Sequence, residues 1–238
     1  MSARHDDPPQ TPRWRALLAA FAARVGEHGF DLCAAGSVAW YQRRVAAEHA
    51  LPDLGRDDAL VIVVGNSRAL WERFTAAYRG SERLRATRDP LDTWTADVVT
   101  TAAREALGDV RWEVRYPWEA PPRRVAFQRL ADAVGLAQLG PVYCVHAEHG
   151  PWIALRAALV VDVPGPEALG PVERPCEGCA ERPCEPALRE ATAAAQEAAD
   201  LRPWLRVRDA CPRGRDSRYG DDQIRYHYTR DRGALDLP

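Results

Sequence analysis

The chain has 238 residues, of which 46% are hydrophobic and 28% are charged, so it carries enough apolar material for a packed core and does not resemble a disordered chain. Its formal net charge of -2 gives no broad positive field, and we therefore expect a small-molecule ligand and no nucleic-acid partner. No apolar run approaches the roughly 18 residues needed to span a bilayer. The N-terminus also lacks a signal-peptide pattern, which together predicts a cytoplasmic protein with no membrane partner.

The first half of the chain predicts helices that alternate with strands. Residues 1–12 are polar and proline-containing, which predicts a disordered tail. Apolar residues at helical spacing predict three helices, over 13–27, from Ser67 to Tyr78, and from Pro90 to Gly108. The β-branched run 59–64 predicts a buried strand. Over 110–116 apolar and charged residues alternate, which predicts a half-buried strand with Arg111, Glu113 and Arg115 facing outward.

The second half changes character after a further helix and strand. A helix is predicted over 127–134 and a strand over 153–161. Over 164–186 Gly, Pro, Glu and Cys dominate and apolar periodicity disappears, which predicts an irregular arm. An Ala-rich helix over 186–199, an irregular stretch rich in Arg and Asp, and a short helix over 223–228 are predicted to follow.

Together these elements predict an α+β protein with a mixed or antiparallel sheet flanked by helices. The sequence has no GxGxxG or GxxxxGK[ST] phosphate-binding loop, and the elements alternate too loosely for a doubly wound sheet. We divide the chain into the tail 1–12, an α+β domain over 13–163, and a segment over 164–238 with the cysteine-rich arm and the C-terminal helices.

Four cysteines have the spacing of a metal centre. They follow the pattern C-x2-C-x4-C and are completed by a later Cys-Pro pair: Cys176, Cys179, Cys184 and Cys211. Close cysteines in a reducing compartment are more often metal ligands or redox groups than disulfides, and four thiolates complete a tetrahedral site. The Cys-Pro ending is similar to bacterial ferredoxin ligation and favours one iron–sulfur cluster, whereas structural zinc or a site with redox thiols alone stays open.

Other residues admit both a structural and a functional interpretation. Arg156 lies in an apolar strand and must meet an anion, which is either a structural carboxylate or a ligand carboxylate or phosphate. His146 and His149 lie in a loop, where a polar contact is favoured over a metal pair. Trp40 and Trp152 belong to the core or stack against a ligand. Cys33 and Cys144 are predicted to be buried thiols, and Arg202, Arg206 and Arg208 a solvated face.

Several blocks in the same order resemble one known family. They lie between about residues 29 and 228: Gly29-Phe30, Val38-Ala39-Trp40-Tyr41, Asp89-Pro90-Leu91-Asp92, Cys144-Val145-His146, Gly150-Pro151-Trp152 with Arg156, Arg208-Asp209-Ala210, and Arg218-Tyr219 with Gln223 and Tyr226. The pattern resembles the methylmalonic aciduria and homocystinuria type C family of cytosolic cobalamin-processing proteins.

This resemblance implies a nitroreductase-like fold and a wide pocket for cobalamin bound with its lower base displaced. It implies removal of the upper cobalt ligand, either reductively with a flavin or by transfer of an alkyl group to glutathione. Arg156 matches an arginine implicated in glutathione binding, and Arg202 is the match for a second. The other binding residues that the resemblance implies are Trp40, Tyr41, Asp89, Asp92, His146 and Trp152.

A partial similarity to epoxyqueuosine reductases, which are cobalamin enzymes with iron–sulfur clusters, is carried by other residues. It rests on Ala133-Val134-Gly135-Leu136 through Gly140, then Gly150-Pro151-Trp152, Leu155 and the four cysteines. The two resemblances together predict reductive processing of cobalamin with one 4Fe-4S cluster as the electron relay, a reductant as partner, and delivery to a cobalamin-dependent enzyme. The alternatives are a cobalamin-dependent reductase of another substrate, and a carrier with a structural metal.

Overall fold

A computed structural model describes residues 12–194 and 202–236. Residues 1–11 of the predicted tail and the end of the predicted Ala-rich helix, at 195–199, lie outside these residues. The α-helices of the described part are α1 Arg13–Gly26, α2 Val38–Gln42, α3 Leu70–Gly80, α4 Glu82–Ala86, α5 Pro90–Leu107, α6 Phe127–Ala133, α7 Cys184–Ala194, α8 Arg202–Asp209 and α9 Asp221–Thr229. Short 3₁₀ turns span Ala47–His49, Arg215–Ser217 and Arg232–Leu235.

The described strands form one sheet and one small hairpin. Their bounds are β1 Leu32–Ser37, β2 Ala59–Asn66, β3 Trp112–Arg115, β4 Gln138–Leu139, β5 Cys144–Val145 and β6 Ala154–Pro164. The sheet has the order β1-β2-β6-β3 with every neighbouring pair antiparallel, and β4 and β5 form the hairpin. The predicted α+β class with an antiparallel sheet flanked by helices is confirmed.

Apolar residues on both faces of β2 and β6 explain why helices cover both sides of the sheet. Leu60, Ile62 and Val64 of β2 pack into a core with α1, α3, α5 and α9. The intervening Val61 and Val63 pack into a second core with α2, α6 and β5. The two central strands are therefore buried between two helical layers. No helix of the described part is long and apolar enough to cross a membrane.

Three expectations about individual elements need correction. Strand β1 is missing from the prediction because its sequence, Leu-Cys-Ala-Ala-Gly-Ser, has no β-branched residue. Arg115 of edge strand β3 is buried and does not face outward, because its guanidinium folds back to Glu113 Oε2 at 2.9 Å. The Arg- and Asp-rich stretch after residue 201 contains α8, whose Pro203 and Val207 are buried on one face.

Candidate polar pocket and four-cysteine cavity

The arginine predicted to need an anion lies at the bottom of a pocket. Arg156 of β6 is only 9% exposed, and its Nε donates to Asn66 Oδ1 at 2.7 Å. Its Nη2 is buried and has no hydrogen-bond partner within the described residues. Asp92 of α5 is the carboxylate whose charge acts on Arg156. A buried guanidinium with an unused N–H is a ready site for an anionic or strongly polar ligand group.

Arg208 forms a second cationic wall of this pocket. Its guanidinium lies over three aromatic rings, at 5.2 Å from the ring centroid of Tyr143, 5.1 Å from Trp152 and 5.4 Å from Tyr219. Its Nη2 donates to Ile153 O at 3.1 Å, while its Nε is buried without a partner in the described structure. The three rings restrict the guanidinium by cation–π contacts, so Arg208 keeps its place in the pocket lining with little freedom.

Unsatisfied buried atoms concentrate around this single cavity. Over residues 12–194 and 202–236, seven buried side-chain nitrogen or oxygen atoms have no hydrogen-bond partner. Four of them belong to residues that line a cavity of about 400 Å³: Arg156 Nη2, Arg208 Nε, Tyr219 Oη and His227 Nε2. Buried polar groups are normally paired in a folded protein, so this concentration indicates a place where a bound ligand supplies the partners.

The charges around the pocket shift its titratable groups. Burial lowers the pKa of His227 well below its usual 6.5, and the neighbouring Arg156, Arg208 and Arg230 lower it further. Burial also raises the pKa of Tyr219. At neutral pH the pocket therefore presents a neutral imidazole and a neutral phenol beside two cations, a set suited to a polar or anionic ligand.

The lowered pKa of His227 predicts that the protein loses stability below about pH 6.5. In the unfolded chain the imidazole takes up a proton near pH 6.5, whereas in the folded chain it stays neutral. The unfolded state then binds more protons, so the free energy of unfolding falls as pH falls, by up to about 1.4 kcal/mol per pH unit for this group.

Chemical denaturation of the wild type and of His227→Asn between about pH 7.5 and about pH 5.5, a window centred on the ordinary pKa of histidine, measures the effect. The variant should lose the His227 part of the slope, while His146, whose pKa burial also lowers, keeps its own part in both proteins. Identical slopes in the two proteins would show that folding does not lower the pKa of His227.

The predicted site residues do not all lie at the pocket. Asp92 lies close to Arg156, and Trp152, only 1% exposed, supports Arg208 from below. Asp89 precedes α5 and is largely exposed, and Arg202 lies exposed at the start of α8. Binding roles for these residues stay predictions.

The pair Trp40 and Tyr41 lies in the second core, with α6. Tyr41 is fully buried; its hydroxyl donates to His49 O at 2.9 Å and accepts from the Ala126 amide at 2.9 Å. Trp40 is partly buried and packs against the same core. This placement favours a structural role for Tyr41.

Tyr41→Phe is expected to lower the free energy of unfolding by about 1–3 kcal/mol, because two buried backbone groups lose their partner. Ligand affinity should stay at the wild-type value, since the polar pocket is not built from this residue. Denaturant unfolding and a binding titration on the same preparation check this. Weaker binding at unchanged stability would instead support the predicted ligand contact.

The side chains of His146 and His149 make contacts within and beside their own tight turn. Their rings stack with centroids 4.9 Å apart, and His146 Nδ1 accepts the amides of Glu148 and His149 at 3.2 Å. His149 Nδ1 bonds Ser217 Oγ at 2.8 Å. The structure therefore shows the polar loop contacts that the sequence favoured over a metal pair.

The four cysteines predicted as metal ligands lie around one cavity. Cys176, Cys179, Cys184 and Cys211 all line a cavity of about 440 Å³. Cys176 and Cys179 share a turn in which the Cys179 amide donates to Cys176 O at 3.3 Å. Cys184 is the first residue of α7, and Cys211 follows the end of α8. Since α7 and α8 pack against each other, residues distant in sequence meet here.

Burial and neighbouring thiols together raise the pKa of three cysteines in the cysteine cavity. Burial raises the pKa of Cys176, and the charges of Cys211, Cys184 and Cys179 raise it further. Burial and then Cys211 and Cys179 raise the pKa of Cys184, and burial together with Cys179 raises that of Cys211. By contrast, Cys33 does not line this cavity, and burial raises its pKa to about 12.

Two glycines bring the Cys211 segment to the cavity. Gly150 and Gly214 both have positive φ, +56° and +69°, and their backbones are in direct contact. A Cβ on Gly150 would lie 2.1 Å from Arg213 O, and one on Gly214 would lie 2.1 Å from His149 O. This approach is possible only without side chains, and it fixes the chain directly after Cys211-Pro212.

Several pocket residues were not predicted to have a role. Arg208 was assigned to a solvated face, but its position four residues after Trp204 in α8 places both at the pocket. His227, Tyr143 and Tyr228 carry no motif in the sequence. The buried face of α8, with Val207 four residues after Pro203, is the one signal from which the position of Arg208 could be inferred.

The fold and the site define an α+β protein with a polar pocket between buried arginine and aromatic side chains. No family model matches the chain. It is 28% identical over 170 residues to the cyanocobalamin reductase / alkylcobalamin dealkylase of Gallus gallus, covering 63% of this chain and 70% of that protein. The protein of the same name from Danio rerio is 27% identical over 166 residues, covering 62% of this chain and 65% of its own.

A solved structure shares the fold over nearly the whole chain. It is CblC, a B12-trafficking protein of C. elegans and a homologue of human MMACHC, with a TM-score of 0.72 at 15% identity. The superposition covers 93% of this chain and 95% of CblC. These similarities agree with the expected resemblance to the type C family, while the partial similarity to epoxyqueuosine reductases stays a prediction.

Proposed function

We propose that this protein binds cobalamin and removes the upper ligand of its cobalt. The concentration of unsatisfied polar atoms in one pocket is the observation that carries the proposal, because a polar ligand bound there would supply their missing partners. The two relatives with matching sequence are named for reduction of cyanocobalamin and dealkylation of alkylcobalamin. As part of this proposal, the fold is of the nitroreductase-like type.

The residues of the pocket fit a ligand of this chemistry. Cobalamin carries amide side chains and a phosphate, and glutathione carries two carboxylates, so either offers oxygen acceptors to Arg156 and Arg208. A neighbouring cavity of about 230 Å³ shares Tyr143 and Arg208 with the pocket. These two residues would therefore contact ligand groups on both sides, and Trp152 would act by supporting Arg208.

The two reactions differ in their electron balance. When cyanide leaves cobalt(III), it takes the bonding pair with it, and one electron from a reductant leaves cobalt(II). When an alkyl group moves to the sulfur of glutathione, cobalt keeps the bonding pair and becomes cobalt(I), and the thiol loses its proton. The protein's residues bind and orient the reactants and exclude water, while the cobalt carries the chemistry.

For the reductive route we propose an iron–sulfur cluster on the four cysteines as the electron relay, with a flavin or another reductant as the source. We place this chemistry in the cytoplasm, with a cobalamin-dependent enzyme receiving the product. Zinc at the cysteines would exclude an electron relay through this site, because zinc has no redox chemistry, and a flavin would then have to reduce the cobalt directly.

Titration of the full chain with cyano-, methyl- and aquocobalamin tests the proposal. Binding with the lower base displaced shifts the visible spectrum toward the base-off form, and we expect this shift to saturate at one equivalent of protein. Spectra that stay unchanged with every cobalamin form would exclude the proposed function.

A carrier is the second candidate, and CblC is a trafficking protein, which favours it. Both candidates bind cobalamin, but only the processing protein releases the upper ligand. Cyanide released from bound cyanocobalamin under reducing conditions, in excess over a protein-free control, supports processing. Stable binding without release supports a carrier.

A further inference from the structure

The cavity lined by the four cysteines is large compared with a single metal ion. In a tetrahedral zinc–thiolate site the sulfurs lie about 3.8 Å apart, since each Zn–S bond is about 2.3 Å. Over the described residues, no group of three or more His, Cys, Asp or Glu side chains is already placed to hold a metal ion. The four cysteines line, together with other residues, a cavity of about 440 Å³. By a similar measure a site needs only about 10–15 Å³ to admit a water molecule.

The rest of the cavity wall suits a polynuclear centre of negative charge. Prolines precede or follow three of the cysteines in sequence, and Pro175, Pro183 and Pro212 all line the cavity. Two arginines, Arg182 and Arg213, line it as well. Cys184 begins the 11-residue helix α7, whose positive N-terminal end favours a thiolate. Because Arg182 also pairs with Glu185 and Arg213 with Glu173, these cations offset part of the charge of four thiolates.

From this geometry we propose that the cavity binds one [4Fe-4S] cluster with Cys176, Cys179, Cys184 and Cys211 as its four ligands. Assembly forms four iron–thiolate bonds and releases the four thiol protons to solvent. With a cysteine on each iron the cluster has no open coordination position. It therefore supplies single electrons when bound and does not bind substrate.

The cysteine cavity lies next to the polar pocket. Tyr143 lines both the cysteine cavity and the polar pocket. On α8 Val207 faces the cysteine cavity, and the next residue, Arg208, faces the pocket. One layer of side chains separates the two sites, which places an electron donor directly beside a bound ligand. Cluster binding itself does not depend on what the pocket holds.

Anaerobic purification of the full chain, followed by iron, sulfide and zinc analysis, tests the site. We expect about four irons and four sulfides per chain and a visible absorption that bleaches on reduction. Cys176→Ser and Cys211→Ser should each lose most of the iron. Cys33→Ser is the matched control, since Cys33 is also partly buried but does not line the cavity, and it should retain all of the iron.

Stoichiometric zinc, or protein without metal after iron and sulfide reconstitution, would overturn the cluster. The wild-type analysis decides this even when a serine variant fails to fold, and a thermal melt identifies that failure. Cobalamin titration of the same preparations separates the two proposals. Iron without cobalamin binding contradicts the proposed function alone, and cobalamin binding without iron contradicts the cluster alone.

Discussion

Gly214→Ala is expected to destabilise the protein by about 2–5 kcal/mol and to displace Cys211 from the cysteine cavity. The left-handed backbone of Gly214, φ +69°, costs an alanine about 1–2 kcal/mol. The added Cβ would also lie 2.1 Å from the carbonyl group of His149, which forces two backbone segments apart at a further cost of about 1–3 kcal/mol. Denaturant unfolding measures the first effect, and iron content after reconstitution measures the second.

Gly80→Ala is the control for this substitution. A Cβ on Gly80, at the end of α3, would meet no atom within 4 Å, so alanine there should be neutral or should stabilise by up to about 1 kcal/mol. If Gly214→Ala had the stability and the iron content of this control, the contact between the two glycine turns would not be what positions Cys211.

Arg156→Met is expected to weaken cobalamin or glutathione binding about ten- to a hundredfold and to lower the free energy of unfolding by about 1–3 kcal/mol. A hydrogen bond from a charged donor contributes about 1.5–3 kcal/mol, which corresponds to this range of affinity. An apolar side chain of similar length removes a desolvated charge, which offsets part of the cost of the substitution. It also leaves the fully buried Asn66 Oδ1 without its donor, so we expect a moderate loss of stability together with the loss of affinity.

Arg115→Met provides the comparison, because Arg115 is exposed to the same 9% but bonds Glu113 and lies on β3. It should keep the wild-type affinity in the same spectral titration. A loss of affinity in both variants would point to a general effect of charge. A large loss of stability with unchanged affinity in Arg156→Met would assign Arg156 a structural role.

The sequence predicted those elements in which local pattern and tertiary burial agree. Strands β2 and β6 are continuous apolar runs, and α5 begins at an Asp-Pro pair and ends before Gly108, so each was expected close to its observed place. Strand β1 was not expected, because it is held by antiparallel pairing with β2 and not by its own residue preferences. Helix α8 was not predicted, because its arginines made the segment resemble an irregular charged stretch.

The four-cysteine cavity was easier to predict from the sequence than the polar pocket, because most of its cysteines are close in sequence. The cysteines are close in sequence, except Cys211, and their spacing alone indicated a common centre. The polar pocket joins β6, α8, α9 and the loop that holds Tyr219, and no local pattern reports which side chains of such remote segments converge. Only Arg156 was recognisable, because a charge within an apolar strand requires a partner.

Anaerobic mixing of reduced protein with cyanocobalamin tests the central claim most directly. The full chain is reduced and then freed of excess reductant. It should release cyanide and generate cobalt(II) absorption in proportion to its cluster content. The Cys176→Ser protein should still bind cyanocobalamin but release none. Cyanide release at the wild-type rate from Cys176→Ser would contradict the relay, and no release from the reduced, iron-loaded wild type would contradict the proposed processing of cobalamin.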